Sequence, residues 1–132
     1  MIRKNIYSII PLLSIVFTCI NYSQSAQSQN IQHVKVQEFI SKIQDSTVVV
    51  VDVRSAKEHV AGFIPRTNLN IDVMGSDFEE QVSTQIPDSS VVAIYCRSGN
   101  RSKRAAEILD RMGYEVIELD HGYKAWLEYN KQ

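Results

Sequence analysis

Residues 91–112 read VVAIYCRSGNRSKRAAEILDRM, and this stretch decides both the fold and the chemistry predicted for the chain. The apolar run Val91–Tyr95 predicts a buried strand. A helix is predicted after it from apolar residues that recur at helical spacing, namely Ala105, Ile108, Leu109 and Met112. Gly113 is then expected just beyond the end of that helix. The seven residues from Cys96 to Ser102 therefore form a strand-to-helix turn that carries a thiol.

This turn predicts an anion-binding loop around Cys96. A short loop closed by a helix N-terminus directs several backbone N–H groups at its own centre, and the helix dipole adds positive potential there. Arg97 and Arg101 place two permanent cations on the same loop. Because both features favour an anion, we expect Cys96 to be a reactive thiolate at neutral pH. The alternative is a buried structural cysteine at the end of a strand.

Strands and helices alternate along the rest of the chain. Further strands are predicted at Val48–Val53, Asn68–Ile71 and Val116–Leu119. Further helices are predicted over Gln37–Gln44 and Ser55–Ala61, from a capping box at Ser76 and Glu79 up to Pro87, and in a last segment whose Tyr123, Trp126 and Leu127 face inward. This alternation predicts an α/β fold with a mostly parallel sheet and helices on both faces.

In such a sheet, functional sites lie beyond the carboxyl ends of the strands. Cys96 lies at one such end, and Asp52 and Arg54 lie at the end of the other central strand. We expect Asp52 and Arg54 to be supporting residues that fix the loops and pair with Glu58.

Three segments together resemble a known family. A strand that ends in Cys, with Gly three residues on, Arg five residues on and a helix after it, resembles the active-site loop of rhodanese-like domains, the thiosulfate sulfurtransferases. The family's first signature is similar to Asp52-Val53-Arg54, Glu58, Gly62, Ile64, Pro65 and Asn68. Its closing signature is similar to Gly113-Tyr114, Val116, Leu119, Gly122-Tyr123 and Trp126. The resemblance spans Val34 to Trp126 and implies the rhodanese-like three-layer fold, with about five strands.

The chain departs from the family pattern at four positions. Phe63 replaces a histidine, Arg66 and Thr67 replace a Gly-Ala pair, and His121 replaces the first of two closing glycines. None of them is the cysteine or an arginine of the loop. At His121, a positive φ would cost more than it does for glycine.

The resemblance implies a single-domain sulfurtransferase. The Cys96 thiolate would take the sulfane sulfur of thiosulfate or a related anionic donor as a persulfide, and pass it to cyanide, to a small thiol or to a protein acceptor. Arg97 and Arg101 would hold the anionic donor, and Ser102 would also cap the helix. The substrate-binding residues are then expected to be Arg97, Ser98, Gly99, Asn100, Arg101 and Ser102, with Cys96 as the catalytic residue. No cofactor and no metal site are expected.

Two alternatives use the same thiol. Cysteine phosphatases and arsenate reductases place Arg six residues after Cys, whereas Arg101 follows Cys96 by five. The shorter loop narrows the ring and favours a single sulfur atom over a phosphate group. The second alternative is a persulfide carrier or binding module for one dedicated partner. His33 and His59 lack neighbours at metal-ligand spacing and are expected to be solvated.

The first residues differ in character from the rest. Arg3 and Lys4 precede an apolar stretch from Ile6 to Ile20, which predicts a signal peptide over residues 1–25, a flexible linker over 26–33 and the domain over 34–132. Export to the periplasm follows. The alternative is a lipoprotein anchored through Cys19, which is the one way in which a membrane partner is expected.

Charge and cysteine content agree with this division. The formal charge of −1 becomes −3 without Arg3 and Lys4, which gives no reason to expect a nucleic-acid partner. Removal of Cys19 with the leader would leave Cys96 as the single thiol of an exported protein, which favours a reactive role over a disulfide.

Overall fold

A computed structural model describes residues 30–132 of the chain. Strands and helices alternate throughout this part. In chain order they are β1 Ile31–Val34, α1 Val36–Lys42, β2 Val49–Asp52, α2 Ala56–Ala61, β3 Leu69–Asn70, α3 Phe78–Gln85, β4 Val91–Tyr95, α4 Asn100–Arg111, β5 Glu115–Leu119 and α5 Gly122–Tyr129.

The strands form one sheet in the order β1-β5-β4-β2-β3, and every neighbouring pair is parallel. This confirms the predicted α/β fold with a parallel sheet of about five strands. Because all five strands run in the same direction, their carboxyl ends lie at one edge of the sheet. Asp52 of β2 lies in register with Tyr95 of β4, so the ends of the two central strands are neighbours.

Helices cover both faces of the sheet. On one face, α3 and α4 bury Val82, Ala105 and Leu109 against the central strands. On the other face, α1 buries Phe39 against Tyr95, while Trp126 of α5 is partly buried there. The β-branched runs of β2 and β4 are buried on both sides, as expected of central parallel strands.

The ordered domain begins earlier than predicted. Ile31–Val34 forms the edge strand β1, which pairs in parallel with β5. The predicted linker over 26–33 is therefore wrong for residues 31–33, because a partner strand far along the chain stabilises this short segment. The predicted signal peptide over 1–25, the lipidation alternative at Cys19 and residues 26–29 of the linker lie outside the described residues.

Several local predictions need correction. The capping box predicted at Ser76 and Glu79 is not the start of α3, whose N-cap residue is Asp77; a capping box instead joins Ser55 and Glu58 at α2. In α5, Leu127 does not face inward, since it is 44% exposed.

The end of α4 follows the prediction. Gly113 has φ +94°, with the N–H of Gly113 donating to Asp110 O and that of Tyr114 to Leu109 O. These two bonds form the Schellman motif that a C′ glycine permits.

Between residues 30 and 132, no helix has both the length and the apolar character that a membrane-spanning segment requires.

Candidate active site

Cys96 lies directly after β4, at the centre of the loop that leads into α4. Its Sγ accepts a hydrogen bond from the N–H of Gly99 at 3.0 Å and lies 3.4 Å from Ser102 Oγ. Gly99 can turn this N–H inward because it adopts φ +105°, a left-handed conformation that favours glycine. The predicted cradle of backbone donors around the thiol is therefore present in the geometry.

Two carbonyl groups of the loop, those of Cys96 and Arg97, are bound by the first turn of α5. The N–H of Tyr123 donates to Cys96 O at 2.8 Å, and that of Lys124 donates to Arg97 O at 3.0 Å. Gly122 makes this contact possible, because a Cβ at that position would collide with the carbonyl oxygen of Cys96 and the backbone of Arg97. The N–H groups at the start of α5 thus bind two carbonyl oxygens of the loop, while the N–H of Gly99 faces the sulfur of Cys96.

His121, at the N-cap position of α5, has φ +59°. The strain expected where histidine replaces the family's glycine is therefore present. Arg66, which also replaces a family glycine, has φ +80°. Its side chain donates from Nε to Ile43 O and from a guanidinium N–H to Asp45 O, and these two bonds offset the backbone cost.

The surroundings of Cys96 act on its pKa in opposite directions. Burial raises the pKa of the thiol, because a charged sulfur loses hydration, but hydrogen bonds lower it by more. The largest of these comes from the Ser102 side chain, and the others come from the backbone N–H groups of Ser102, Gly99 and Ser98. The net pKa is lower than that of a free cysteine, so the loop favours the thiolate.

Cys96 is also enclosed, since only 1% of its surface is exposed. Beside the loop, a cavity of about 410 Å³ is lined by Arg54, Glu58, Ala61, Gly62, Arg97, Tyr123, Lys124 and Leu127. Cys96 does not line this cavity. The thiol is thus buried next to a cavity that its neighbour Arg97 lines.

Of the two loop arginines, Arg101 is held by a carboxylate. Its guanidinium donates two hydrogen bonds of 2.7 Å to the two oxygens of Glu58. This pairing, more than the bonds from Ser55, lowers the pKa of Glu58 to about 2. The predicted pairing of Glu58 with Asp52 and Arg54 is therefore wrong, because the capping box of α2 turns Glu58 toward the loop instead.

Arg97 is exposed and lines the cavity, as does Lys124 of α5. Lys124 was missed by sequence reasoning, because it reaches the loop only through the packing of α5. Ser98 and Asn100 are exposed on the outside of the turn, whereas Gly99 and Ser102 are buried. Asn100 begins α4 and Gly99 occupies the N-cap position, so the prediction that Ser102 caps the helix is wrong.

The end of β2 holds a closed cluster of charges. Asp52 accepts two hydrogen bonds from the Arg54 guanidinium, at 2.9 and 2.7 Å, and its Oδ2 lies 2.9 Å from Nδ1 of His59. Arg54 is buried and stacks over the ring of Tyr123, 4.4 Å from the ring centre. The expectation of a solvated His59 is wrong, because His59 stacks on Phe63 and contacts Asp52. Asp52 and Arg54 thus pair with each other at the end of β2, and Arg54 also lines the cavity beside the loop.

A second buried carboxylate lies behind the loop. Glu118 of β5 is fully buried, accepts a hydrogen bond of 2.5 Å from Ser102 Oγ and lies 2.7 Å from Nδ1 of His33. His33 is half-exposed and paired, not simply solvated as predicted. Sequence reasoning did not single out Glu118, although a charged residue inside the apolar run 116–119 was a signal that could have found it.

Within residues 30–132, no group of His, Cys, Asp and Glu side chains has the arrangement of a metal site.

A family model described as the rhodanese-like domain matches residues 35–129. Among solved structures, a rhodanese-related protein from Thermoplasma volcanium is 26% identical, with a TM-score of 0.64, over 74% of this chain and 92% of that one. A rhodanese-like domain protein from Staphylococcus aureus is 26% identical, with a TM-score of 0.62, over 72% and 90%. A human single-domain sulfurtransferase is 27% identical, with a TM-score of 0.60, over 73% and 95%.

Proposed function

The chain belongs to the rhodanese-like domain family, and from this premise we propose that it transfers sulfane sulfur through a persulfide on Cys96. The observation that carries the proposal is the inward N–H of Gly99, which donates to Sγ at 3.0 Å beside a lowered thiol pKa. A thiolate held by donors in this way is the reactive form of cysteine.

The first half of the reaction forms the persulfide. The Cys96 thiolate attacks the outer sulfur of thiosulfate, a new S–S bond forms, and the bond to the sulfonate sulfur breaks. Its electron pair leaves with sulfite, so that the three negative charges of the reactants are conserved. In the second half, cyanide or a thiolate attacks the outer persulfide sulfur and restores the Cys96 thiolate. Two half-reactions on one enzyme group give ping-pong kinetics.

The charges around the cavity suit an anionic donor. Three cations, Arg54, Arg97 and Lys124, and one carboxylate, Glu58, line it, so the formal charge of the lining is positive. Arg101 is engaged by Glu58, so its role in the proposal is to hold the turn against α2, while Arg97 meets the sulfonate. The backbone N–H groups that favour the thiolate also stabilise the negative outer sulfur.

The burial of Cys96 favours a second candidate, a persulfide carrier. Because Cys96 is 1% exposed, the loop presents little of Sγ to a small donor in this conformation. A carrier that hands sulfur to one dedicated protein acceptor would use that partner to open the loop, and would turn over slowly with small acceptors.

The nucleophile is tested by intact mass after thiosulfate treatment of the full chain. We expect the wild-type protein to gain the mass of one sulfur atom, and Cys96→Ser to gain none, because the thiolate is the reacting species. The matched control is Cys19→Ser, which removes the other cysteine and should gain sulfur normally. A sulfur gain in Cys96→Ser would remove Cys96 from the mechanism.

Turnover separates the enzyme from its alternatives. Steady release of thiocyanate from thiosulfate and cyanide would identify a sulfurtransferase, and persulfide formation without turnover would identify a carrier. Release of phosphate from an aryl phosphate, without thiocyanate, would instead assign the shorter loop to a phosphatase.

The proposal also includes export. The basic and apolar character of residues 1–25 supports a cleaved signal peptide and a periplasmic domain, with lipidation at Cys19 as the alternative. N-terminal sequencing of the protein recovered from its host distinguishes the two, since a mature start near residue 26 supports cleavage and a blocked Cys19 supports the anchor.

A further inference from the structure

A continuous chain of polar contacts connects Cys96 to a carboxylate that the sulfur-transfer steps above do not use. Sγ of Cys96 lies 3.4 Å from Ser102 Oγ, and Ser102 Oγ lies 2.5 Å from Oε1 of Glu118. Ser102 and Glu118 are both fully buried. A buried carboxylate is costly to maintain, and here it is separated from the reactive thiol by one hydroxyl group.

The Ser102 hydroxyl also lies 3.1 Å from the carbonyl oxygen of Gly99, but Glu118 is the nearest acceptor. Because the hydroxyl carries one hydrogen, it donates to only one acceptor at a time. When Glu118 is ionised, Ser102 donates to the carboxylate and the Cys96 thiol donates to Ser102. When Cys96 is ionised, Ser102 donates to Sγ and a protonated Glu118 donates to Ser102. The same heavy atoms satisfy both arrangements, which differ only in the direction of the hydrogen bonds.

We propose that Glu118 is the proton acceptor of Cys96 and that the two groups share one proton through Ser102. Ionisation of the thiol then moves its proton to Ser102 Oγ while the Ser102 proton moves to Oε1 of Glu118. One negative charge passes from Glu118 to Cys96, and the number of buried charges does not change. This inference rests on the proposed role of Cys96 as a nucleophile. Glu118 does not touch Cys96 and acts on it through the Ser102 hydroxyl.

Both Glu118 and Cys96, at the two ends of this series of hydrogen bonds, have partners that stabilise a negative charge. Glu118 faces His33 of β1 at 2.7 Å and Lys103 of α4 at 3.8 Å, and Lys103 also pairs with Asp120 at 3.2 Å. From β4, the register neighbour of Glu118 is the apolar Ile94. At the other end, the N–H of Gly99 and its neighbours hold a charge on Cys96. Neither state leaves a buried anion without partners.

A path for proton exchange with solvent lies at the Glu118 end. A cavity of about 270 Å³ is lined by Ile31, His33, Lys103 and Glu107, and the His33 side chain is 48% exposed. None of these four residues lines the cavity that contains Arg97 and Lys124. In the proposal, the shared proton exchanges with solvent through this opening, while the donor occupies the other cavity.

The test is a titration of the thiolate by its absorbance near 240 nm. The full chain is measured against the same chain carrying Cys96→Ser, so that Cys19 and the tyrosines cancel. We expect the wild-type thiolate to appear in two steps, because two coupled groups share their protons. Glu118→Gln should give a single step that is complete about one pH unit or more lower, since the second buried anion is gone.

Ser102→Ala separates this relay from a purely structural role. It removes the hydroxyl but leaves the carboxylate, so the thiolate should appear in a single step at higher pH than in the wild type. The matched control is Glu115→Gln, an exposed position on the same strand, which should titrate as the wild type does. Loss of the Ser102 hydrogen bond raises the pKa of the thiol with or without the relay, so the decisive observation is the change from two steps in the wild type to one step in the variant.

Two results would overturn the proposal. One is a wild-type titration in a single step, and the other is a Glu118→Gln or Ser102→Ala protein that keeps the wild-type profile. If Glu118→Gln does not fold, as judged by thermal unfolding, the Ser102→Ala profile decides alone. The measurement uses no sulfur donor, so it is independent of whether the protein transfers sulfur.

Discussion

The carboxyl ends of β2 and β4 are neighbours in the sheet, yet they hold their charged groups in opposite ways. At the end of β2, Asp52 and Arg54 satisfy each other through two hydrogen bonds, and both are buried. At the end of β4, the donors that surround Cys96 include backbone N–H groups, whose partner is a thiol with a lowered pKa. The first cluster is electrostatically closed, and the second retains a group that can react.

At one edge of the sheet, the structure thus places a structural ion pair beside a thiol whose ionised form is stabilised. In a buried, fully hydrogen-bonded ion pair, each charged group already has its counter-ion. Removal of one partner leaves the other as an unpaired buried charge. A thiolate held by backbone donors keeps its electron pairs available to an electrophile. Glu58 joins the two ends, because it belongs to α2 beside the β2 cluster and binds Arg101 of the β4 loop.

Asp52→Asn gives the largest expected effect on stability. The change leaves Arg54 buried over Tyr123 without its counter-ion, which should lower the free energy of unfolding by about 3 to 5 kcal/mol. Urea unfolding at pH 7 measures this loss. Under conditions where the variant is folded, the Cys96 titration should be unchanged, because Asp52 acts on the scaffold.

Asp88→Asn is the matched control for this change. Asp88 is exposed in the turn before β4, so its loss should alter the free energy of unfolding by no more than about 0.5 kcal/mol. If Asp52→Asn is as stable as this control, the Asp52–Arg54 ion pair does not stabilise the fold, and the contrast with the Cys96 loop is wrong.

Glu58→Gln should have a smaller effect that depends on pH. The pKa of Glu58 is about 2 in the folded protein, below its ordinary value of 4.5, so the ionised form stabilises the fold. This contribution is complete above pH 4.5 and is lost as the pH falls through about 2. Because Glu58 is 30% exposed, solvent screening reduces the contribution to about 1 kcal/mol.

The measurement is urea unfolding of the wild type and Glu58→Gln at pH 7 and at pH 2. The difference in unfolding free energy should be present at pH 7 and mostly lost at pH 2, where the Glu58 carboxyl of the folded protein is about half protonated. A difference that persists unchanged in acid would mean that Glu58 joins the two strand ends by packing and not by its charge.

His121→Gly should give the smallest effect, and a stabilising one. A φ of +59° at the start of α5 is strained for histidine, whereas glycine adopts it readily. The free energy of unfolding should therefore rise by about 0.5 to 1 kcal/mol. Thermal unfolding measures it. Arg66→Gly is the comparison at φ +80°, where two side-chain hydrogen bonds to Ile43 and Asp45 are lost, so no net gain is expected. Equal gains at both positions would mean that the Arg66 bonds contribute nothing.

Most of the architecture was predictable from local patterns. The apolar runs of β2, β4 and β5 and the helical spacing of α4 are strong because each describes residues buried on a regular period. The helix end at Gly113 was equally local, since a left-handed residue there satisfies the last carbonyl groups. The position of Cys96 at a strand-to-helix turn followed directly from these patterns.

The edge strand β1 was not predictable in the same way. Its four residues include two exposed polar ones, and its stability comes from pairing with β5, more than 80 residues away. The partners of Glu58 and His59 were missed for a related reason, because a short polar segment offers several partners that only packing can choose between.

The sequence alone determined the class of fold and placed Cys96, the residue proposed as the nucleophile, at its strand-to-helix turn, because a thiol, a glycine and a helix start within seven positions act through local backbone geometry. Tertiary structure decided which charges remain available around that thiol. Arg101 is bound by Glu58, Lys124 arrives with α5, and Glu118 reaches Ser102 from another strand. Charge pairing depends on distances of a few ångströms between segments far apart in the chain, and those distances are set only when the sheet and helices pack together.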